Sequence, residues 1–418
     1  MAKKIIVIVT LFFGLIGYSQ ENTASPYSFY GLGDVKFKGT QDARSMGGLS
    51  FATDSISLNL LNPASYAGLK LVTFGVAGTT TFTKLNNATT SENAKRTSFD
   101  YLAIGLPLGN KFGVSFGILP YSAVGYKIIN FQTVGSEERA SVFTGQGNIN
   151  RTYLGFGYNV SKNFSLGVDV QYNFGIIENE SIESIAGVQL SSRERNNSNI
   201  NGVSFNIGGL YNNKISEKLN VSSSFTFSPE ARLNSENLRN LATINFNSNG
   251  SENVIALPKD VPVKDTKLII PTKLSFGAGI GETNKWLVGT EITFKGSERQ
   301  NNRFEDVNTN HSFENGEKYA IGGYFIPKYD SFSSYLSTVV YRMGFTYEKT
   351  GLIIENQSIN DYGMNFGLGF PLGLSKLNVG VEFGKRGTTK NNLIEENYFN
   401  LSVGLSLSDK WFRKRKID

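Results

Sequence analysis

Few of the side chains that usually carry chemistry are present in this chain. Its 418 residues include no cysteine and one histidine, His311. A thiolate nucleophile, a disulfide and a cysteine-ligated metal are therefore excluded, and most histidine-based zinc chemistry goes with them. A Ser–His pair would have to use His311, which falls in the Asn- and Glu-rich stretch 296–317 and reads as a solvated loop residue. The adjacent carboxylates Glu305–Asp306 and Glu395–Glu396 also fall in stretches read as loops, where neighbouring acids serve hydration. No Asp/Asn/Gly calcium-loop spacing occurs, and no Gly-rich phosphate loop joins a strand to a helix. No catalytic residue, cofactor or metal is expected. The net charge of +6 is spread along the chain apart from one C-terminal cluster, so nucleic acid is not an expected partner.

What remains are isolated charges set into an apolar alternation, and the alternation defines the elements that hold them. Phe164, Leu166, Val168, Val170, Tyr172 and Phe174 are separated by Ser165, Gly167, Asp169, Gln171 and Asn173. A strand of this kind offers one face to an apolar medium and the other to water. The pattern recurs from about residue 71, with strands starting near 71, 98, 112, 151, 164, 201, 219, 268, 285, 318, 335, 360, 376 and 398. Short turns near Gly109, Lys162, Asn213, Asn284, Asp330 and Gly373 alternate with longer loops at about 84–97, 120–150, 177–200, 230–267, 296–317, 349–359 and 387–397. No later run approaches the roughly 18 apolar residues of a membrane helix. A soluble sandwich also alternates, but it rarely keeps short and long connections in turn over so many strands. The predicted fold is all-β, a transmembrane antiparallel β-barrel of about 14 strands with an N-terminal hatch inside its lumen.

Parity then sorts the charges. If the apolar set faces lipid, Asp169, Glu291, Arg342, Glu382 and Arg386 face the lumen. An Arg or Lys turned toward lipid at mid-membrane would cost roughly 2–4 kcal/mol. These groups either pair across the lumen and hold the inserted segment or line a ligand path. Arg151, Glu291 and Arg342 are the polar groups expected to orient a ligand or the hatch.

The ends of the chain have other patterns. Lys3 and Lys4, the apolar run Ile5–Ile16 and the small residues Gly17 and Ser19 have the layout of a secretory signal peptide over 1–19. Residues 20–70 do not alternate and carry Pro26, Gly31, Gly33, Gly47, Gly48 and Pro63. A barrel of this size is too wide for its own side chains to fill, and this segment is expected to fold inside it as a hatch. The barrel is assigned to 71–409 and a basic tail to 410–418, where Trp411-Phe412 reads as an interfacial anchor.

Several short motifs carry a family likeness. Ala43-Arg44-Ser45-Met46-Gly47-Gly48-Leu49-Ser50-Phe51-Ala52, then Asp54 and Asn62-Pro63-Ala64, resembles the hatch of the long-chain fatty-acid porins, the FadL-like family. Ile270-Pro271-Thr272-Lys273-Leu274-Ser275-Phe276-Gly277, Tyr341-Arg342-Met343-Gly344-Phe345 and Gly363–Phe370 are similar to its barrel segments. The resemblance implies a fourteen-stranded barrel in the outer membrane, among its lipids. It also implies uptake of a hydrophobic small-molecule ligand and release through a gap in the wall. The ending Trp411–Lys416 looks like those of outer-membrane proteins of the Bacteroidetes. Barrels similar to this family serve there as accessory subunits of a protein-secretion machine. A secretion-machine protein is thus the alternative partner.

Overall fold

A computed structural model describes residues 23–135, 137–256, 258–301, 310–331 and 334–410. The expected signal peptide, the Glu305–Asp306 pair and Trp411–Lys416 lie outside the described residues. Strand β1 (Asp34–Val35) belongs to the N-terminal segment. The wall begins with β2 (Val72–Asn86), β3 (Ser91–Leu108), β4 (Phe112–Val134), β5 (Glu137–Asn159), β6 (Phe164–Ile185) and β7 (Ser191–Lys214). It continues with β8 (Leu219–Ser228), β9 (Ala231–Phe246), β10 (Glu252–Val254), β11 (Lys259–Pro262), β12 (Thr266–Ile270), β13 (Lys273–Glu282) and β14 (Trp286–Lys295). After β15 (His311–Phe313) come β16 (Gly316–Phe325), β17 (Val340–Ile354), β18 (Gln357–Leu372), β19 (Ser375–Gly387) and β20 (Glu395–Asp409).

The wall strands pair antiparallel, and β2 pairs with β20 from Val72↔Asp409 to Asn86↔Glu395, which closes the sheet. With β8–β9 and β12–β13 each taken as one bent strand, the barrel has 14 strands. The bends share a cause. Pro229 and Pro271 interrupt facing strands, where Ser228 pairs with Lys273 and Ala231 with Ile270. A proline in a strand removes a ladder donor, so pairing breaks there and resumes beyond it.

Parity is read out as predicted. On β6, Leu166, Val170 and Tyr172 are exposed outward, whereas Asp169, Gln171 and Asn173 are buried inward. The exposed apolar set continues around the barrel through Phe205, Phe276, Val288, Met343, Phe345, Met364 and Phe383. A continuous apolar belt of this extent suits contact with acyl chains.

The expected boundaries need correction at the end that carries the long connections, termed the loop end; the other is the turn end. The stretches predicted as loops at 120–150, 177–200 and 230–267 are largely strand, because β4 to β7 and β9 run far past the apolar belt. Beyond the belt both faces become polar, as in Asn196, Asn197, Ser198 and Asn199, and the alternation that marks a strand disappears. The backbone ladder continues without it, from Ser191↔Ile244 to Asn201↔Asn234. For the same reason β3 starts at Ser91, ahead of the predicted 98.

Candidate functional site in the lumen

The N-terminal segment threads the barrel, and inward-facing glycines give it room at the turn end. The turn Pro63–Gly68 lies against Gly113, Gly157, Gly167 and Gly208. A Cβ on Gly167 would come within 2.3 Å of the Pro63 carbonyl carbon, and one on Gly208 within 2.0 Å of Asn62 Oδ1. Around the collar, Phe51 fills the space left by Gly277, Gly279 and Gly289, and Met46–Gly47 rests on Gly322 and Gly344. Gly47 and Gly48 have φ of +76° and +89°, so the chain reverses at a pair where side chains would be strained.

Asn62, Pro63 and Ala64 act together at this seat. Asn62 Oδ1 accepts the Ala64 N–H at 3.0 Å and caps the turn. Its Nδ2 donates to the Gly209 carbonyl at 3.0 Å and ties the turn to β7. Asn62 and Ala64 are fully buried. Leu58, Leu60, Tyr66 and Leu69 form an apolar cluster with Tyr101, Ala103, Leu119 and Tyr153 of the wall. Met46, Leu49 and Phe51 form a second one with Leu210 and Ala320.

Toward the loop end, charge replaces close packing. Lys38 pairs with Asp169 at 3.1 Å. Arg44 reaches Asp100 at 3.4 Å and Thr79 at 2.7 Å. Asp34 is held by Lys36 at 2.8 Å and by Arg386 at 2.8 Å, and Arg386 also pairs with Asp361 at 2.9 Å. Burial pushes the Asp34 carboxyl up, but Lys36 and Arg386 outweigh it and hold the group well below the ordinary carboxylate range. Glu291 accepts the Ser50 N–H at 2.5 Å, and back at the turn end Asp54 pairs with Lys376. Burial likewise opposes ionisation of Asp54, and Lys376 overrides it and lowers its pKa.

The predicted lumen residues therefore divide. Asp169, Glu291 and Arg386 bind the N-terminal segment directly. Arg151 donates to Asn173 at 2.8 Å and lies over the Tyr121 ring, so it braces the wall. Arg342 donates to Asn378 at 3.0 Å, and Glu382 accepts from Asn400 at 3.0 Å; both contacts are between strands. Sequence reasoning missed Asp34, Lys36, Lys38 and Asp100. The alternation Asp34-Val35-Lys36-Phe37-Lys38 was the available signal, in a segment read as irregular. Glu395–Glu396 also differs from expectation. Glu396 is buried, hydrogen-bonded by Ser25 and near Arg386, because parity at the start of β20 turns it over the N-terminal segment. His311 is in β15, its ring 5.0 Å from Tyr30 and 5.4 Å from Phe313.

The wall also splits. β3 and β4 are paired only from Leu102↔Ile118 to Leu108↔Phe112. Above this, Pro120 and a bulge at Tyr121 take β4 out of register, and the two strands part. The N-terminal segment pairs with the freed edge. Asp34 and Val35 lie opposite Ala123 and Ser122, and the Lys36 N–H donates to the Tyr121 carbonyl at 2.9 Å. Val35, 52% exposed, lies at the split. Above it, Leu32 packs with Val124, Ile149 and Ile177 on one side of the barrel. Tyr27 and Tyr30 pack with Leu352, Ile354 and Ile359 on the other, so the segment bridges the lumen. Between bridge and collar lies a cavity of about 470 Å³, with Lys36, Arg44, Arg151, Lys273, Glu348 and Arg386 among its lining residues.

Three solved structures share this architecture. The toluene transporter TodX of Pseudomonas putida matches with a TM-score of 0.60 and 15% identity, covering 91% of this chain and 100% of that one. A FadL homologue of Pseudomonas aeruginosa matches at 0.61 and 10%, covering 90% and 99%. The toluene transporter TbuX of Ralstonia pickettii matches at 0.59 and 11%, covering 89% and 98%. At these identities the likeness is one of fold. No curated protein matches the sequence. The model of the BamG family matches residues 1–418.

Proposed function

The chain belongs to the BamG family, and from that premise we propose that it is an outer-membrane barrel serving as a non-conducting accessory subunit of an envelope protein machine. Residues 1–19 would direct export, 20–70 would act as the hatch, and 71–409 would span the membrane. The family name points to the Bam complex as the assembly that supplies its partner proteins. The reading is non-enzymatic.

The observation that carries it is the character of the lumen. A path for a hydrophobic solute needs a continuous apolar lining. At the turn end the N-terminal segment instead meets the wall at backbone contact distance. Above that, ion pairs joining the segment to the wall interrupt a chamber lining that also carries Phe37, Leu119, Tyr121 and Ile270. Desolvating such pairs for an apolar guest costs several kcal/mol per ion. The polar groups named from sequence as ligand-orienting are engaged with the hatch or with neighbouring strands, which supports a holding role.

A second reading, transport of a small hydrophobic compound, is supported by the split between β3 and β4 and by the fold shared with toluene transporters. Two measurements separate them. The protein is purified from its native membrane under mild detergent, and the pure chain is reconstituted into liposomes with labelled toluene or fatty acid. A stoichiometric protein partner and uptake equal to empty liposomes are expected. Uptake above that background, with no partner retained, would favour transport.

A further inference from the structure

The cations around the chamber are mostly matched one by one. Lys36 has Asp34, Lys38 has Asp169, Arg44 has Asp100, and Arg386 has Asp34 and Asp361. The wall formed by β13, β14 and β16 is different. Lys273 stands opposite Lys295, and Lys318 stands opposite Thr293, all at inward positions of adjacent strands. Two carboxylates face these three lysines: Glu291 on β14, and Glu348 on β17, where it stands opposite Lys318. Glu348 pairs with Lys295, and Glu291 accepts the Ser50 N–H. Among the described residues, neither Lys273 nor Lys318 has a carboxylate within ion-pair distance.

The N-terminal segment does not neutralise this excess, but it does shape the space beside it. The Phe37 ring lies 5.7 Å from Lys318 Nζ and 5.2 Å from Arg44 Cζ, between two cations. A ring face offsets only part of an ammonium charge. Three ammonium groups against two carboxylates leave one half-buried positive charge, which calls for a mobile counter-charge. The cavity that touches Lys273 and Lys318 also touches Asp100, Pro120, Tyr121 and Val35 at the split. One continuous space thus joins the lysine wall to the opening between β3 and β4.

We propose that Lys273 and Lys318, with Lys295 beside them, bind a phosphate-type oxyanion in the chamber. Phosphate oxygens can accept from both ammoniums that have no carboxylate within ion-pair distance, and lysine serves phosphate as a compact charge with rotatable donors. The phosphate is either a free ion or the headgroup of a lipid entering at the split. The site does not depend on whether the barrel conducts a solute.

The test uses the full chain purified in detergent. Binding of radiolabelled inorganic phosphate is measured after delipidation, and phosphorus in tightly retained lipid is measured without it. Saturable phosphate binding identifies the free ion, retained phosphorus identifies the headgroup, and either supports the site. Replacing both lysines, K273Q with K318Q, should lower affinity or retained phosphorus by at least about tenfold, the scale of losing charge-assisted contacts. K376Q, which alters a lysine paired to Asp54 at the turn end, should change neither. Heat-modifiable gel mobility reports folding, and the single changes K273Q and K318Q, each expected to lose several-fold, stand in if the pair fails to fold. Absence of bound phosphorus in both assays would overturn the proposal, as would binding that the lysine changes leave intact.

Discussion

The two ends of the lumen are built on opposite principles. At the turn end the wall presents glycine, and the N-terminal segment meets it backbone to backbone around Asn62, Pro63 and Ala64. At the loop end the wall presents charge, the segment is held by ion pairs, and a cavity of about 470 Å³ is left between them. Close packing tolerates no added volume, whereas paired charge tolerates volume but depends on pH and salt. The segment is thus anchored rigidly at one end and adjustably at the other.

The comparison breaks most readily at Gly167. Gly167→Leu should abolish most of the folded, heat-modifiable species, because the new side chain would occupy the Pro63 backbone. Thr81→Leu, an equal bulk on the chamber wall, should leave that species near its normal amount. Equal sensitivity of the two would mean that the ends do not differ as described. Next in size is Asn62→Ala, which strands the Gly209 carbonyl and the Ala64 N–H. A loss of roughly 1–3 kcal/mol is expected in urea unfolding, the cost of buried groups left unpaired.

Acid should act on the ion-paired contacts and spare the glycine seat. The Asp34 pKa is lowered in the folded protein, so its contribution is fully present above the ordinary value of 3.8 and is lost as the pH falls below it. Protease cleavage or hydrogen exchange in residues 23–40 should therefore rise below about pH 4, while residues 58–68 stay protected. Asp34→Asn should give the acid-like exposure at neutral pH and flatten the dependence. Loosening of both stretches together would contradict separate anchoring. The smallest effect belongs to Val35→Ser, at an exposed position in the split, with an expected change within about 0.5 kcal/mol.

How much of this was legible in the sequence follows from where period two survives. On β6 or β14 the outward residues are apolar and the inward ones polar, so Asp169 and Glu291 could be assigned to the lumen from parity. Past the belt, water lies on both faces, and Asn196–Asn199 reads as loop although it is paired strand. The seat of the segment was visible as Asn62-Pro63-Ala64, but its counterpart was not. Gly113, Gly167 and Gly208 are far apart in sequence and ordinary as strand glycines, and only the closed barrel brings them to one turn. Lys273, Lys295 and Lys318 escaped for a similar reason. Each is a single inward lysine on its own strand, and the excess appears only when β13, β14, β16 and β17 are set side by side in register.

Single-channel recording in planar bilayers tests most directly whether the chain closes its own lumen. The chain with residues 20–66 in place should be electrically silent, and their removal should produce steady openings of a wide pore. Steady conductance through the intact protein, or a deletion that folds and adds none, would contradict that closure.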